Sequence, residues 1–163
     1  MSAAMPGRSS VTDILLVEDN PHDAELAMRA LKKHQLANHL VWAKDGAEAL
    51  ALIFDPIDDP AAPLARWPQL VLLDLKMPRV DGLEVLRRLK EDPRTRAIPV
   101  VVLTSSREEA DIERSYENGA NSYIVKPVGF ANFAEAIQEV GLYWLLLNQP
   151  PERLASPKPE LER

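Results

Sequence analysis

Residues 70–74 read Leu-Val-Leu-Leu-Asp, so that four apolar residues run without a break into an acidic one. A continuous apolar run of this length is typical of a strand in a parallel sheet, where helices cover both faces. Similar runs precede polar residues at three other places, namely residues 14–17 before Glu18 and Asp19, 100–103 before Thr104, and 123–125 before Lys126. The recurrence predicts parallel strands that each deliver a polar side chain at the same end.

Five segments are predicted to be strands, and stretches with helical periodicity separate them. The strand segments are residues 13–17, 40–43, 70–73, 99–103 and 122–125. Asn20 followed by Pro21 is a helix-start signal. Asp45 with Glu48 has the spacing of a capping box, and so does Ser106 with Glu109. Five repeats of strand and helix predict an α/β fold, a parallel sheet wound by helices on both sides.

The length of 163 residues suits a single domain that buries its own core. We predict that this domain spans residues 13–148, after an N-terminal extension at 1–12 and before a flexible C-terminal tail at 149–163. The tail is rich in proline and charge, a composition that favours disorder. Residues 55–68 are rich in proline and aspartate and are predicted to form a long surface loop.

Composition excludes several classes of protein. There is no cysteine, which excludes a disulfide framework and a thiolate metal site. The first residues lack the apolar core of a signal peptide, and the longest apolar stretch, near residues 141–147, is too short to cross a bilayer. A formal net charge of −6 argues against sequence-independent binding of nucleic acid. The sequence therefore predicts a cytoplasmic protein with no membrane or nucleic-acid partner.

The polar strand ends are expected to meet, because the carboxyl ends of parallel strands share one edge of the sheet, where ligands bind. Glu18, Asp19 and Asp74 would repel one another there, and burial would make each charge costlier. A hard divalent cation with oxygen ligands relieves this repulsion, and Mg²⁺ is the expected ion. Lys126 and Thr104 add a positive charge and a hydroxyl, which together with one nucleophilic carboxylate suit phosphoryl transfer.

Four motifs in this order resemble the response-regulator receiver domain of two-component signalling. They are Glu18-Asp19, Asp74-Leu-Lys-Met-Pro78, Thr104-Ser105 and Lys126-Pro127. The resemblance covers residues 14–147, and no position of these motifs departs from the family pattern. It implies a flavodoxin-like (βα)5 doubly wound sheet with the strand order 2-1-3-4-5.

The resemblance also implies a role for each acidic residue at the predicted site. Asp74 would accept a phosphoryl group from the histidine of a sensor kinase. Mg²⁺ would be held by Glu18, Asp19, Asp74 and the backbone carbonyl of Lys76. The protein would then have no enzymatic activity beyond its own phosphorylation and dephosphorylation.

Three further residues take roles from the same resemblance. Thr104 and Lys126 would contact the phosphoryl oxygens, and the Lys126–Pro127 peptide bond would be cis. Tyr123 matches the aromatic residue that turns inward on activation. A tyrosine near a strand end is also common as simple packing.

A narrower resemblance points to the upstream partner. Residues 20–26, the long loop at 55–68 and residues 141–150 are similar to single-domain regulators that pair with phytochrome-type histidine kinases. This similarity implies a bacteriophytochrome as the cognate sensor kinase, with red and far-red light as the signal. The downstream protein is not indicated by the sequence.

Two other functions are compatible with an aspartate at a strand end. Phosphatases of the haloacid-dehalogenase kind carry a second aspartate two residues after the nucleophile, but that position holds Lys76, which is not a general acid at neutral pH. A degenerate receiver that only binds partners would not need the complete set of Asp74, Thr104 and Lys126.

The last predicted helix, from about residue 130 to residue 147, has more apolar surface than one buried face requires. Phe130, Phe133, Ile137, Val140 and Trp144 form one stripe at helical spacing, which indicates core packing. Leucines and a tyrosine extend the apolar surface around the helix at residues 142, 143, 145, 146 and 147. Either the loop at 55–68, with its Trp67, covers this surface, or the protein is a homodimer; the dimer is the favoured interpretation.

Overall fold

The predicted strands pair in one parallel sheet in the computed structural model, which describes residues 14–33, 39–55, 64, 66–126, 130–155 and 158. The strands are β1 Ile14–Val17, β2 Leu40–Ala43, β3 Leu70–Leu73, β4 Val100–Thr104 and β5 Ser122–Val125. Their order is β2-β1-β3-β4-β5, and all four pairs are parallel. The predicted flavodoxin-like (βα)5 fold is confirmed.

Strand β4 lies one residue later than predicted, and the shift matters for the site. Pro99 has no N–H to donate, although its carbonyl still accepts a hydrogen bond from the Val71 N–H at 2.9 Å. At the other end Thr104 pairs with Val125 of β5. Thr104 is therefore the last residue of a strand, which holds its backbone at the carboxyl edge of the sheet.

Helices connect the strands and begin at the signals that the sequence contains. They are α1 Pro21–Lys33, α2 Gly46–Phe54, α3 Gly82–Glu91, α4 Glu109–Glu117 and α5 Phe130–Gly141. The Asn20 side chain accepts hydrogen bonds from the N–H groups of His22 and Asp23 at 2.9 and 3.2 Å. Asp45 caps α2 by accepting from the Glu48 N–H at 2.8 Å. Among the described helices, none is both long and apolar enough to span a bilayer.

The sheet separates two apolar cores, because alternate residues of each strand point to opposite faces. Leu15, Val71 and Val102 face the core that α2 and α3 cover. Leu16, Leu72 and Val101 face the core that α1 and α5 cover. The sheet is thus covered on both faces, which explains the unbroken apolar runs.

The last helix differs from the single continuous helix that its periodicity predicts. Helix α5 ends at Gly141, and Leu142–Leu147 continue it as a π-helical segment. Trp144 and Leu145 pack against the core beneath α1 and α5. Four apolar side chains of the π segment remain exposed, namely Leu142, Tyr143, Leu146 and Leu147.

The loop before β3 does not cover these exposed side chains with the residues that are described. Leu64 and Trp67 are buried in the core on the opposite face of the sheet from α5. Most of residues 55–68 lie outside the described part of the chain. The placement of Trp67 contradicts the interpretation in which this tryptophan covers the last helix.

Part of the C-terminal tail is packed, where the composition predicts a flexible segment. Glu152–Ala155 form a short helix, α6, and Leu154 is 4% exposed within the core beneath α2 and α3. The Lys158 ammonium donates to the Leu52 carbonyl at 3.0 Å and lies 5.1 Å from the centre of the Trp67 ring. Ordering this part of the tail costs conformational entropy, which its proline and charged residues would not offset by themselves. The burial of Leu154 and the cation–π contact of Lys158 offset this cost.

We expect Leu154→Ala to lower the free energy of unfolding by about 2 kcal/mol, because it removes a buried side chain and leaves a cavity. Urea denaturation followed by circular dichroism would measure the change. The control is Tyr116→Ala, which truncates a side chain of α4 that is 52% exposed and lies outside the π segment, and for which little change is expected. Equal stability of the two variants would show that the tail does not pack against the core in solution.

Candidate functional site

Three carboxylates meet at the carboxyl edge of the sheet. Glu18 and Asp19 follow β1, Asp74 follows the adjacent strand β3, and the Asp74 N–H donates to the Val17 carbonyl at 3.0 Å. One oxygen from each of the three acids lies within 4.8 Å of the others. Glu18 and Asp74 are buried, and Asp19 is exposed. The predicted convergence of these acids is present in the structure.

The Lys126 ammonium reaches this cluster from the end of β5, the edge strand of the sheet. Its backbone N–H donates to the Thr104 carbonyl at 2.8 Å, which fixes the chain just beyond β5. Its Nζ lies 2.5 Å from Glu18 Oε1, 2.8 Å from Asp23 Oδ2 and 3.6 Å from Asp74 Oδ2. One partly buried cation is therefore shared among three carboxylates. Pro127 is outside the described residues, and so is the predicted cis bond before it.

The electrostatics of this cluster follow from its burial. Burial raises the pKa of Glu18, and the neighbouring Asp74 carboxylate raises it further, while the Lys126 ammonium opposes the change. Burial disfavours the charged form of Lys126, yet hydrogen bonds to Asp23 and Glu18 raise the pKa of this lysine. Negative charge is thus crowded at the site, and an added cation would relieve it.

The three acids fit a divalent cation by the chemistry of their donor atoms. Carboxylate oxygens are the ligands that hard cations such as Mg²⁺ prefer, and an exposed Asp19 leaves a side of the cluster open to solvent. The Lys76 N–H donates to Asp74 Oδ1 at 3.4 Å, so the backbone of Lys76 lies beside the acids. Its carbonyl remains a predicted ligand.

Thr104 and Tyr123 are connected through the loop that follows β4. The fully buried Thr104 hydroxyl accepts from the Ser106 N–H at 3.4 Å, and the Tyr123 hydroxyl donates to the Ser106 carbonyl at 2.9 Å. The Tyr123 ring packs against the core beneath α2 and α3, and burial raises the pKa of its hydroxyl. The tyrosine therefore points inward in this structure and is linked through one residue to the threonine.

Two acids that contact residues of the site were not predicted from the sequence to belong to it. Asp111 of α4 is 3% exposed, and its Oδ2 accepts from the Ser106 hydroxyl at 2.6 Å and lies 3.2 Å from Lys76 Nζ. Despite its burial, the Ser106 hydroxyl and the Lys76 ammonium lower the pKa of Asp111. The second acid is Asp23 of α1, which contacts Lys126. It was not predicted because an acid in the first turn of a helix is already explained by its favourable interaction with the helix dipole.

The predicted capping box of Ser106 and Glu109 is not formed. Helix α4 begins at Glu109 without a side-chain cap, and the Ser106 hydroxyl is used by Asp111 instead. Asp111 thereby ties the loop after β4 to α4 and, through Lys76, to the loop after β3. These loops are the ones that flank Asp74.

Comparison with known proteins identifies the family of this arrangement. Residues 14–138 match the family described as the response regulator receiver domain. The chain is 43% identical over 138 residues to a probable methanogenesis regulatory protein, FilR2, of Methanothrix harundinacea, covering 85% of this chain and 86% of that protein.

Solved structures similar to this chain include regulators of phytochrome signalling. The phosphorylated cyanobacterial phytochrome response regulator RcpA is 37% identical with a TM-score of 0.79, covering 86% of this chain and 99% of that one. The Mn²⁺-bound form of the response regulator Rcp1 is 35% identical with a TM-score of 0.77 and the same coverage. The bacteriophytochrome response regulator AtBRR is 53% identical with a TM-score of 0.64, covering 85% of this chain and 99% of that one.

Proposed function

This chain belongs to the response regulator receiver domain family, and we propose that its Asp74 accepts a phosphoryl group from the histidine of a sensor kinase. The observation that carries this proposal is the meeting of Glu18, Asp19, Asp74 and Lys126 at one edge of the sheet. In the proposed step an Asp74 carboxylate oxygen attacks phosphorus, an acyl P–O bond forms, and the P–N bond to the kinase histidine breaks.

The residues around Asp74 would lower the barrier by positioning and by compensating charge. Lys126 would offer its ammonium to the phosphoryl oxygens, and Thr104 would donate its hydroxyl to another of them. When bound to Glu18, Asp19, Asp74 and the Lys76 carbonyl, a divalent cation such as Mg²⁺ would supply further positive charge to the transferring group. The Mn²⁺ in the Rcp1 structure supports the presence of a cation in this chain.

The signal would leave the site through the contacts of Ser106. Ser106 links Thr104 to Tyr123 of β5, because its N–H donates to the Thr104 hydroxyl and its carbonyl accepts from the Tyr123 hydroxyl. Movement of the Thr104 hydroxyl toward a phosphoryl group would pull on the Ser106 N–H and alter the contact with Tyr123. The surface formed by α4 and β5 would change, and a downstream protein would bind it.

The upstream kinase in this proposal is a bacteriophytochrome, supported by the names of RcpA and AtBRR. FilR2, which is 43% identical, is named a probable methanogenesis regulatory protein, so the input signal needs its own test. Phosphotransfer from a purified bacteriophytochrome, compared under red and far-red light, would test this assignment. Transfer that does not depend on the light would contradict it.

A direct test of the proposed function uses a small phosphodonor such as acetyl phosphate with Mg²⁺. We expect the protein to gain the mass of one phosphoryl group and to lose it again with time, as a signalling protein and not as an enzyme with an external substrate. Sustained release of phosphate from a phosphomonoester would instead favour the phosphatase alternative. A protein that gains no mass would be a receiver that only binds partners.

We place the protein in the cytoplasm, where its kinase partner would reach it.

We further propose that the protein forms a homodimer through the π segment and the end of α5. A two-fold axis would bring this surface against its own copy. Residues 140–147 read Val-Gly-Leu-Tyr-Trp-Leu-Leu-Leu and contain no charge, so that the copies would not repel each other. The exposed side chains of Leu142, Tyr143, Leu146 and Leu147 would be covered in the dimer.

We expect the Tyr143→Glu, Leu146→Glu double variant to be monomeric, because two buried charges of each copy would face each other in the dimer. Light scattering after size-exclusion chromatography would measure the mass. The matched control is Tyr116→Glu, which places a charge at a 52% exposed tyrosine of α4 and leaves the π segment intact. An unaltered mass in the double variant would contradict the proposed interface.

A further inference from the structure

Asp23 contacts the site lysine without belonging to the group of acids that could hold a metal. Its Oδ2 lies 2.8 Å from Lys126 Nζ, and its side chain is 27% exposed. The metal-binding group consists of Glu18, Asp19 and Asp74. Asp23 is therefore a counter-ion that would remain available to Lys126 when a divalent cation binds to the other three acids.

The position of the Lys126 ammonium depends on its acidic partners. The backbone of Lys126 is fixed by its hydrogen bond to Thr104, but the side chain has four flexible methylene groups. Its ammonium is close to Glu18 and Asp23 and is farther from Asp74, at 3.6 Å. A cation bound to Glu18 would weaken the attraction between Glu18 and Lys126, and Asp23 would then be the main anchor of the ammonium.

We propose that Asp23 is a positioning residue that acts through Lys126 by holding its ammonium away from Asp74 until a phosphoryl group arrives. This inference rests on the proposed function of Asp74. Asp23 would help the metal, because it gives the Lys126 ammonium a partner other than the Glu18 and Asp74 oxygens that the metal needs. It would oppose the phosphoryl group, because it competes for the same ammonium.

Removal of the Asp23 charge should therefore change two affinities in opposite directions. In Asp23→Asn the ammonium keeps only Glu18 and Asp74 as charged partners and competes with the cation for them, so we expect Mg²⁺ to bind roughly fivefold more weakly. At saturating Mg²⁺ the ammonium is free for the incoming group, so we expect the phosphoryl mimic beryllofluoride to bind roughly fivefold more tightly. Damage to the fold would weaken both affinities.

Calorimetry would measure both affinities, first by titration with Mg²⁺ and then with beryllofluoride at saturating Mg²⁺. The matched control is Glu25→Gln, which removes the same charge from the same helix, where Glu25 is exposed and paired with Arg29. We expect the control to resemble the wild type in both titrations. Asp23→Glu keeps the charge, so we expect its affinities for Mg²⁺ and for beryllofluoride to stay close to those of the wild type.

Each result decides the question. Weaker Mg²⁺ binding with tighter beryllofluoride binding in Asp23→Asn alone would support the role of Asp23. Values equal to those of Glu25→Gln, or a weakening of both affinities in a variant whose circular dichroism spectrum and melting temperature match the wild type, would overturn it while leaving the proposed function intact. A wild-type protein that binds no beryllofluoride with Mg²⁺ present would overturn the proposed function, and this inference with it.

Discussion

Asp74→Asn is expected to gain no phosphoryl group from acetyl phosphate and Mg²⁺ under conditions that phosphorylate the wild type. The amide of asparagine is not a nucleophile at neutral pH, and no other described acid has the same surroundings. Glu18 accepts a hydrogen bond from the Lys126 ammonium, and Asp19 is exposed to solvent. Intact-mass measurement over time would detect even a small phosphorylated fraction.

The loss should occur without loss of the fold. Asparagine has the shape of aspartate, and the change removes a carboxylate that raises the pKa of the buried Glu18. Relief of this repulsion offsets the lost attraction to Lys126, so the melting temperature should stay close to that of the wild type. Asp92→Asn makes the same change at the end of α3 and should be phosphorylated normally. Phosphorylation of Asp74→Asn at the wild-type rate would place the nucleophile elsewhere.

The sheet and its acidic edge could be predicted because both depend on local sequence. An unbroken apolar run such as Leu70–Leu73 requires cover on both faces, and the residue that follows it must lie at the carboxyl edge. Glu18, Asp19 and Asp74 follow such runs in adjacent strands, so their convergence needs only a parallel sheet. Lys126 follows β5, and its reach across β4 and β3 depends on a long side chain.

Asp23 and Asp111 could not be predicted, because neither follows a strand and their ion-pair partners, Lys126 and Lys76, are distant in sequence. Each acid lies in the first turn of a helix, where a favourable interaction with the helix dipole is sufficient explanation. Only the packing of α1 beside the sheet edge brings Asp23 to Lys126. Only the entry angle of α4 turns Asp111 inward, toward Ser106 and Lys76.

The packed part of the tail was missed for a related reason. Leu154 is the one large apolar residue between Pro150 and Lys158, and such a segment has no periodicity from which burial could be inferred. Leu154 is buried in the same core cluster as Leu64 and Trp67, which belong to the loop before β3. Local composition describes the cost of ordering a segment, and the compensating contacts come from the rest of the fold.

Gly82→Ala is expected to lower the free energy of unfolding by about 3 kcal/mol, because the added methyl group has no space. A Cβ at this position would overlap the Asp74 carbonyl oxygen and lie 2.7 Å from the Leu75 Cα. These neighbours are backbone atoms and cannot rotate away, so the start of α3 must shift. Urea denaturation followed by circular dichroism would measure the loss.

The same shift should disturb phosphorylation, because the Gly82 N–H donates to the Leu75 carbonyl at 2.9 Å, directly after Asp74. Displacement of a reacting group by about 1 Å can slow a reaction roughly a hundredfold, so we expect phosphoryl uptake to fall at least tenfold. Gly119→Ala provides the comparison, since its φ of 96° makes alanine strained, while the three atoms nearest to its Cβ belong to the Lys90 side chain and not to the backbone. That variant should lose about 1 kcal/mol of stability and keep the wild-type uptake rate when fully folded. Equal uptake by the two variants would mean that the close contact of α3 with Asp74 does not position the phosphoacceptor.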